Sequence, residues 1–212
     1  TATRAQTAAD MALANAQELV IDGGFENGHY PVGKLSTAEH HSGSSSLHIF
    51  AESVTLATGV RVLPGHVYRL QGYRKTSTDF AAKDAANEKL RIGWTSNGAN
   101  AGGDTYTSNG TSPVSDWEYL SRDWTAPSNA GLVNITAASS ATSGSVFFDD
   151  VSFKDITEAA AAQNLANTAQ VTADGKNRIF TSVGEPSHTG LVVGDTWRQI
   201  NNTTDRHVTA YK

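Results

Sequence analysis

The stretch that decides the fold is Val146-Phe147-Phe148-Asp149-Asp150-Val151-Ser152-Phe153, an apolar strand pattern with two adjacent carboxylates in its middle. Successive side chains of a strand point to opposite faces, so one of the two acids should point toward the core. A carboxylate in a core costs several kcal/mol unless it is paired or bound to a metal. We therefore expect a partner segment that satisfies this acid.

The partner that we predict is the first strand of the same domain, Asp22-Gly23-Gly24-Phe25-Glu26. The first and last strands of a jelly roll can lie side by side, which would bring Asp22 and Glu26 close to Asp149 and Asp150. Calcium prefers six to eight oxygen ligands, from carboxylates and backbone carbonyls. The acids therefore predict a structural calcium ion. The alternative is that one aspartate is solvated while the other accepts backbone N–H hydrogen bonds.

Composition excludes several classes of function. The chain has 212 residues, a formal net charge of −5 and no cysteine, which rules out disulfides, thiol nucleophiles and cysteine-ligated zinc. It has no basic cluster for nucleic acid, and no apolar run near the roughly 18 residues of a membrane-spanning helix. Only 17% of residues are charged, and 19 are glycine. This composition favours a β-rich extracellular or virion protein over a cytosolic enzyme.

The fold predicted for residues 21–154 is an antiparallel jelly-roll β-sandwich. Strand-like segments recur there, separated by turn signals, in a number that fits about eight to ten strands. The clearest segment, residues 67–74, places Arg69, Gln71 and Tyr73 on one face and apolar side chains on the other. A domain of this length can bury a core without disulfides.

Alanine-rich segments flank the predicted sandwich, so the chain as a whole is expected to be mainly β with two helices. Residues 1–20 form an N-terminal helix, residues 155–173 a second helix and residues 174–212 a small C-terminal β-unit. Three strands alone are close to the limit of independent stability, which favours either a partner chain or further sequence beyond Lys212. The first helix is either a single helix or a coiled coil between chains, because apolar residues recur at heptad spacing. These are Ala2, Ala5, Ala9, Ala12, Ala16 and Leu19.

Residues 21–154 resemble the carbohydrate-binding modules of families 4, 9 and 22. Five matching motifs occur in the same order as in those modules. They are DGGFENG (22–28), HSGSSSLHI (41–49), PGHVYRLQGYRK (64–75), SDWEYLSRDWTAP (115–127) and FFDDVSFKDI (147–156). The resemblance implies a non-catalytic sugar-binding function. It also implies further calcium ligands from the turn Gly43–Ser44, so that the metal set is Asp22, Glu26, Gly43, Ser44, Asp149 and Asp150.

Sugar rings stack their C–H faces on aromatic side chains, and their hydroxyls bind planar polar groups. Arg91 and Trp94 lie on the strand predicted to adjoin residues 67–74, and Tyr106 lies in a long loop or weak hairpin. In some modules that the chain resembles, the position of Tyr30 lines the edge of the cleft. Trp117 and Trp124 are expected to be structural. The carbohydrate-binding candidates are Arg69, Gln71, Tyr73, Arg91, Trp94, Tyr106 and Tyr30, with core packing as the alternative for Tyr73 and Trp94.

Catalysis is not expected. A glycosidase needs two acids on either side of one bond, roughly 5–10 Å apart, and Asp149 and Asp150 lie on opposite faces of one strand. The sequence contains no zinc-protease motif and no phosphate-binding loop.

Residues 155–212 resemble tail-tip and tail-fibre proteins of siphophages, through ADGKNRIFTS (173–182), EPS (185–187) and GLVVGDTWRQI (190–200). This resemblance implies a virion tail protein, commonly a homotrimer that contacts other tail proteins, with an inserted module that recognises a host cell-surface glycan. Two alternatives stay open. The module could belong to a secreted, extracellular glycoside hydrolase, or it could be a purely structural decoration that stabilises a trimer.

Overall fold

The structure is a computed structural model that describes residues 2–84, 89–96, 99–108, 112–174, 179–182, 196–200 and 205–208. The chain divides into two compact units. The larger is Asp10–Ala160, and the smaller combines Thr1–Ala9 with Ala161–Lys212. Among the described residues, no helix is long and apolar enough to cross a membrane.

The larger unit is the predicted β-sandwich, built from two antiparallel sheets. The five-stranded sheet has the order β1-β2-β11-β4-β8 and the four-stranded sheet the order β3-β9-β6-β7. Strands that are neighbours in a sheet are mostly distant in sequence, as in a jelly roll. The strands of the first sheet are β1 (Leu35–Ser36), β2 (Ser46–Ile49), β4 (Val67–Thr76), β8 (Glu118–Thr125) and β11 (Val146–Asp155). Those of the second are β3 (Ser53–Arg61), β6 (Lys89–Ser96), β7 (Ala99–Ser108) and β9 (Leu132–Ala138).

The core lies between the two sheets. Exposure alternates strictly along β4, as period-2 geometry requires for a strand with one buried face. Gly72 of β4 allows close approach, since a Cβ there would lie 3.0 Å from Leu90 of the opposite sheet. Residues from both sheets are at most 1% exposed: Leu47, Leu70, Phe148 and Phe153 from the first, and Leu90, Ile92, Val133 and Ile135 from the second.

Two smaller features complete the larger unit. β5 (Ala81–Ala82) and β10 (Ala141–Ser143) pair as a separate two-stranded sheet. β6 and β7 pair as an antiparallel hairpin. Of the two predictions for the segment that contains Tyr106, a long loop or a weak hairpin, the hairpin is therefore correct.

Residues 21–30 do not form the predicted first strand. Asp22 and Phe25 both have positive φ angles, of 56° and 58°, which are incompatible with a strand. Phe25 is nevertheless 1% exposed, so it anchors an irregular turn to the core. The first strand of the sandwich is the short β1.

The chain enters and leaves the sandwich side by side. Leu19 donates its backbone N–H to Phe153 O at 2.9 Å, and Val151 donates to Gly23 O at 2.8 Å. Glu18 adds its carboxylate, which accepts the Phe153 N–H at 2.8 Å. We call these contacts between residues 18–23 and 151–153 the terminal closure. The segments 22–26 and 146–153, which we predicted to lie side by side, are thus adjacent, although the first is a turn and not a strand.

The helices differ in length from those expected. α1 is Ala2–Asn15 and ends before the predicted residue 20, because Glu18 forms a β-bridge with Lys154 instead of continuing the helix. α2 is Thr157–Asp174.

In the smaller unit, three strands form one sheet, with β12 parallel to β13 and β13 antiparallel to β14. The strands are β12 (Ile179–Ser182), β13 (Thr196–Ile200) and β14 (Asp205–Val208).

The terminal closure should not tolerate a side chain at Gly23, because a Cβ there would lie 1.7 Å from Val151 O. We expect Gly23→Ala to lower the free energy of unfolding by about 3 kcal/mol. Gly33→Ala is the matched control, since a Cβ at Gly33 meets nothing within 4 Å. Denaturant unfolding of the full chain measures both, and equal stability of the two variants would contradict this account of the closure.

Candidate functional site

The face of the five-stranded sheet that points away from the core, here called the outer face, carries three cross-strand rows of polar and aromatic side chains. The register of β11, β4 and β8 fixes these rows, and successive rows are two residues, or about 7 Å, apart along β4. The rows are Asp149–Tyr73–Tyr119, Ser152–Gln71–Ser121 and Lys154–Arg69–Asp123.

The first row is the centre of an aromatic cluster. The ring centroids of Tyr73 and Tyr119 are 5.2 Å apart. His41 stacks on Tyr73, with centroids 3.5 Å apart and planes 14° from parallel. Trp117 meets His41 edge-on at 5.8 Å. Tyr119 stays 51% exposed, so the cluster offers a large aromatic ring to solvent.

The second row supplies a planar amide. The Tyr119 hydroxyl donates to Gln71 Oε1 at 2.9 Å. Because the carbonyl of Gln71 accepts this bond, its amide N–H groups remain to serve as donors. Ser121 is exposed beside it on β8.

The third row is charged. Arg69 donates from Nε and Nη2 to the two carboxylate oxygens of Asp123, at 2.6 and 2.9 Å. This bidentate hydrogen bond raises the pKa of Arg69. Three of the predicted carbohydrate-binding residues, Arg69, Gln71 and Tyr73, therefore share one face, as the alternation in the sequence indicated.

Arg91 and Trp94 do not join them. β6, which carries both, belongs to the four-stranded sheet and is not a neighbour of β4. The Trp94 indole packs on the buried Trp124, with centroids 5.6 Å apart, so the core-packing alternative describes Trp94. The prediction that this strand adjoins β4 was wrong because consecutive strands here cross between sheets.

Tyr30 is also a core residue. It is 7% exposed, and its hydroxyl donates to Leu56 O at 3.2 Å. Burial raises the pKa of Tyr30 to about 12. A side chain committed in this way cannot line an open cleft, so its predicted role is wrong. Tyr106 lies on β7, and its side chain falls outside the described part of the chain.

Sequence reasoning missed three members of the aromatic cluster. Tyr119 and Trp117 are two residues apart, a spacing that suits one face of a strand, and this signal could have identified Tyr119. Trp117 was expected to be structural. His41 lies on a distant polar loop, and no local pattern connects it with Tyr73. Trp124 is buried, as expected.

Asp149 is fully buried, but beneath the His41–Ser42 turn and not in the core between the sheets. Its carboxylate accepts backbone N–H groups of His41 at 2.7 Å, Ser42 at 3.1 Å and Asp150 at 2.7 Å. Burial raises the pKa of Asp149, against the opposing effect of these hydrogen bonds. Asp149 therefore matches the alternative stated beside the calcium prediction, in which one of the two aspartates accepts hydrogen bonds from backbone N–H groups.

Asp150 and Glu26 hold the same turn from outside. Asp150 accepts from the Ser42 hydroxyl and contacts His41 Nδ1, both at 2.6 Å. Glu26 accepts the Ser44 hydroxyl and the backbone N–H of Ser44, and the hydrogen bonds from Ser44 lower the pKa of Glu26.

Gly43 sits between these contacts at φ 60°, and a Cβ there would lie 2.4 Å from Glu26 Oε1.

Asp22 stabilises the turn that follows it, residues 22–29. Its Oδ1 accepts the N–H groups of Glu26 and Asn27 at 2.8 and 3.0 Å, and its Oδ2 accepts from His29 at 3.2 Å. In the described ranges, no three acidic or histidine side chains gather in a group suited to a metal ion. A calcium site would therefore need backbone carbonyls to complete the two carboxylates of Glu26 and Asp150.

Several solved structures are similar to this chain. A family 16 carbohydrate-binding module has 17% identity and a TM-score of 0.44, over 65% of this chain and 99% of that one. The C-terminal family 22 module of Clostridium thermocellum Xyn10B has 15% identity and a TM-score of 0.45, over 63% and 92%. Bacteriophage CBA120 tailspike protein 4 has 14% identity and a TM-score of 0.45, over 65% and 21%. No protein-family model and no curated protein matches the chain.

Proposed function

We propose that the chain is a non-catalytic glycan-binding protein and that the outer face is its binding surface. The observation that carries this proposal is the exposed Tyr119, which is hydrogen-bonded to Gln71 and packed on Tyr73. An aromatic ring offers an apolar face to the C–H side of a sugar, and the amide beside it offers donors to hydroxyls.

The rows also suit an extended ligand. From Tyr73 to Arg69 along β4 is four residues, or about 13 Å, so a short oligosaccharide can follow the strand from the aromatic row to the charged row. The residues of the site come from paired strands, whose hydrogen bonds hold the side chains in place before a ligand arrives. Such preorganisation reduces the entropic cost of binding.

The proposed setting is a phage tail, with a host cell-surface glycan as partner and the virion as location. Support comes from the resemblance of residues 155–212 to siphophage tail proteins and from the alanine-rich helices. A module attached to a secreted hydrolase would be expected to follow a Pro/Ser/Thr-rich linker. The chain would then form a homotrimer and contact other tail proteins.

A structural calcium ion is proposed beside the His41–Ser45 turn. Glu26 and Asp150 would hold it, together with backbone carbonyls of the turn at Gly43 and Ser44. It would support the closure and take no part in chemistry. Asp22 and Asp149 each accept hydrogen bonds from three backbone N–H groups and would contribute indirectly, by holding the loops. Glu26 accepts two, from Ser44 and Ser45, and calcium would replace these donors.

Glycan binding should depend on Tyr119. We expect Tyr119→Ala to weaken binding of the full chain to its host-wall glycan at least about tenfold, because the stacking surface is lost. Phe50→Ala is the control, since Phe50 is 49% exposed but lies outside the three rows. Glycan-array screening followed by calorimetry measures the effect. Absence of binding to any glycan, or equal loss in both variants, would count against the outer face.

The calcium proposal predicts a rise in melting temperature when calcium is added and a return to the lower value with EDTA. Glu26→Gln should abolish this difference, because it removes one of two proposed carboxylate ligands. Differential scanning fluorimetry measures both proteins. A wild-type melting temperature that is the same in calcium and in EDTA would eliminate the ion.

The trimer proposal assigns the intermolecular contact to the exposed apolar side chains of α2. Leu165 and Val171 are 66% and 72% exposed, whereas Ala9 of the predicted heptad is already buried within the chain. We expect sedimentation equilibrium to give three times the monomer mass, and Leu165→Glu to give the monomer with unchanged secondary structure. A wild-type monomer at high concentration would refute this assignment.

A further inference from the structure

We propose that the charged end of the outer face binds an oxyanion carried by the glycan, either a carboxylate or a phosphate. This proposal rests on the proposed glycan-binding function and specifies the chemical class of the ligand. The feature that suggests it is a small cavity where β11 and β4 pass beside the end of α1. The cavity has a volume of about 70 Å³ and is lined by Leu13, Arg69, Gln71, Ser152, Lys154 and Ile156.

Two cations meet at this cavity. The register places Lys154 of β11 directly opposite Arg69 of β4, on the same face. Like charges in this relation destabilise a sheet. Arg69 is compensated on its other side by Asp123 of β8. Within the described part of the chain, no acidic side chain pairs with Lys154. An anion bound between the two side chains would relieve the repulsion and supply the missing partner.

The lining also contains an excess of donors. Lys154 and Arg69 can only donate, and Gln71 has its carbonyl occupied by the Tyr119 hydroxyl and so presents its amide N–H groups. A neutral sugar hydroxyl both donates and accepts, whereas a carboxylate or phosphate only accepts. Three donating side chains around a cavity of this size therefore match an oxyanion better than a hydroxyl.

A second acid, Glu18, bonds to a residue of the lining and already has its own donors. Ser152 donates its hydroxyl to Glu18 Oε2 at 2.6 Å. The other oxygen, Oε1, accepts the backbone N–H groups of Leu19, Val20 and Phe153 at 2.8–3.1 Å. Four hydrogen-bond donors thus hold the Glu18 carboxylate against residues 19, 20, 152 and 153, and Glu18 is not among the residues that line the cavity.

The row of Arg69 and Lys154 lies about 13 Å along β4 from the aromatic row, with Gln71 of the cavity lining between them, so one ligand can contact both ends. A sugar ring would stack at Tyr119 while the acidic substituent of a neighbouring ring reaches Lys154. The chain has a net charge of −5, so overall attraction does not favour an anion. Selection would come from these two cations at close range, and it should weaken as salt screens them.

The test compares matched ligands on the full chain by calorimetry. One pair is a uronic-acid oligosaccharide and the same oligosaccharide with its carboxyls reduced to alcohols. A second pair is a phosphorylated oligosaccharide and its phosphatase-treated form, and the pair that shows a preference identifies the oxyanion. We expect the acidic member of one pair to bind about tenfold more tightly than its neutral counterpart.

Variants locate the preference. Lys154→Gln should remove the preference, because it weakens binding of the acidic form about tenfold more than binding of the neutral form. Lys83→Gln, at an exposed position next to β5, should leave the preference intact. Asp123→Asn should increase the preference, because it releases Arg69.

The oxyanion site is overturned if acidic and neutral forms bind equally, or if the preference survives Lys154→Gln. In the first case, binding that still depends on Tyr119 leaves the proposed function standing. Failure of all four ligands to bind overturns the oxyanion site, and a glycan array that is also blank overturns the proposed function.

Discussion

The pairing of residues 18–23 with β11 is the constraint on which the rest of the larger unit depends. β2 pairs only with the first part of β11, residues 146–148. The terminal closure supplies the hydrogen bonds that β2 cannot reach, at Val151 and Phe153. Without it, the second half of a strand otherwise buried in the middle of the sheet would present unpaired backbone groups on that edge, at a cost of about 1–3 kcal/mol each.

β11 also connects this closure to the candidate site. Residues 150 and 151 both lie opposite the single Gly72 of β4, which is a β-bulge, and Asp150 has a φ of 49°. The bulge lets Asp149 pair beside Tyr73 while Val151 packs toward the core. Asp150 then contacts His41, and His41 stacks on Tyr73. The aromatic cluster is thus positioned by the same two acids that made the strand unusual as a sequence.

The sequence predicted what depends on local periodicity. Alternation along β4 placed Arg69, Gln71 and Tyr73 together, and the turn signals indicated a sandwich. It could not reveal which strands become neighbours, because that is decided by packing between distant segments. Trp94 was assigned to the site because its strand, β6, was predicted to lie beside β4, whereas β6 lies in the other sheet.

Residues that satisfy backbone groups were equally hard to recognise. Glu18 looked like the end of an alanine-rich helix, but its carboxylate serves as an acceptor for four donors around β11. His41 was identified only as part of a polar loop. In both cases the deciding contact spans more than half of the chain, and no window of sequence contains it.

The adjacency of the two chain ends has a mechanical consequence for the larger unit. Tension applied to residues that precede Glu18 and follow Phe153 acts first across the few hydrogen bonds between them. Part of the load also acts on the end of β4 that pairs with residues 154 and 155, but it does not cross the aromatic row. A ligand stacked on Tyr119 would therefore remain in an unstrained site while the surrounding chain is pulled.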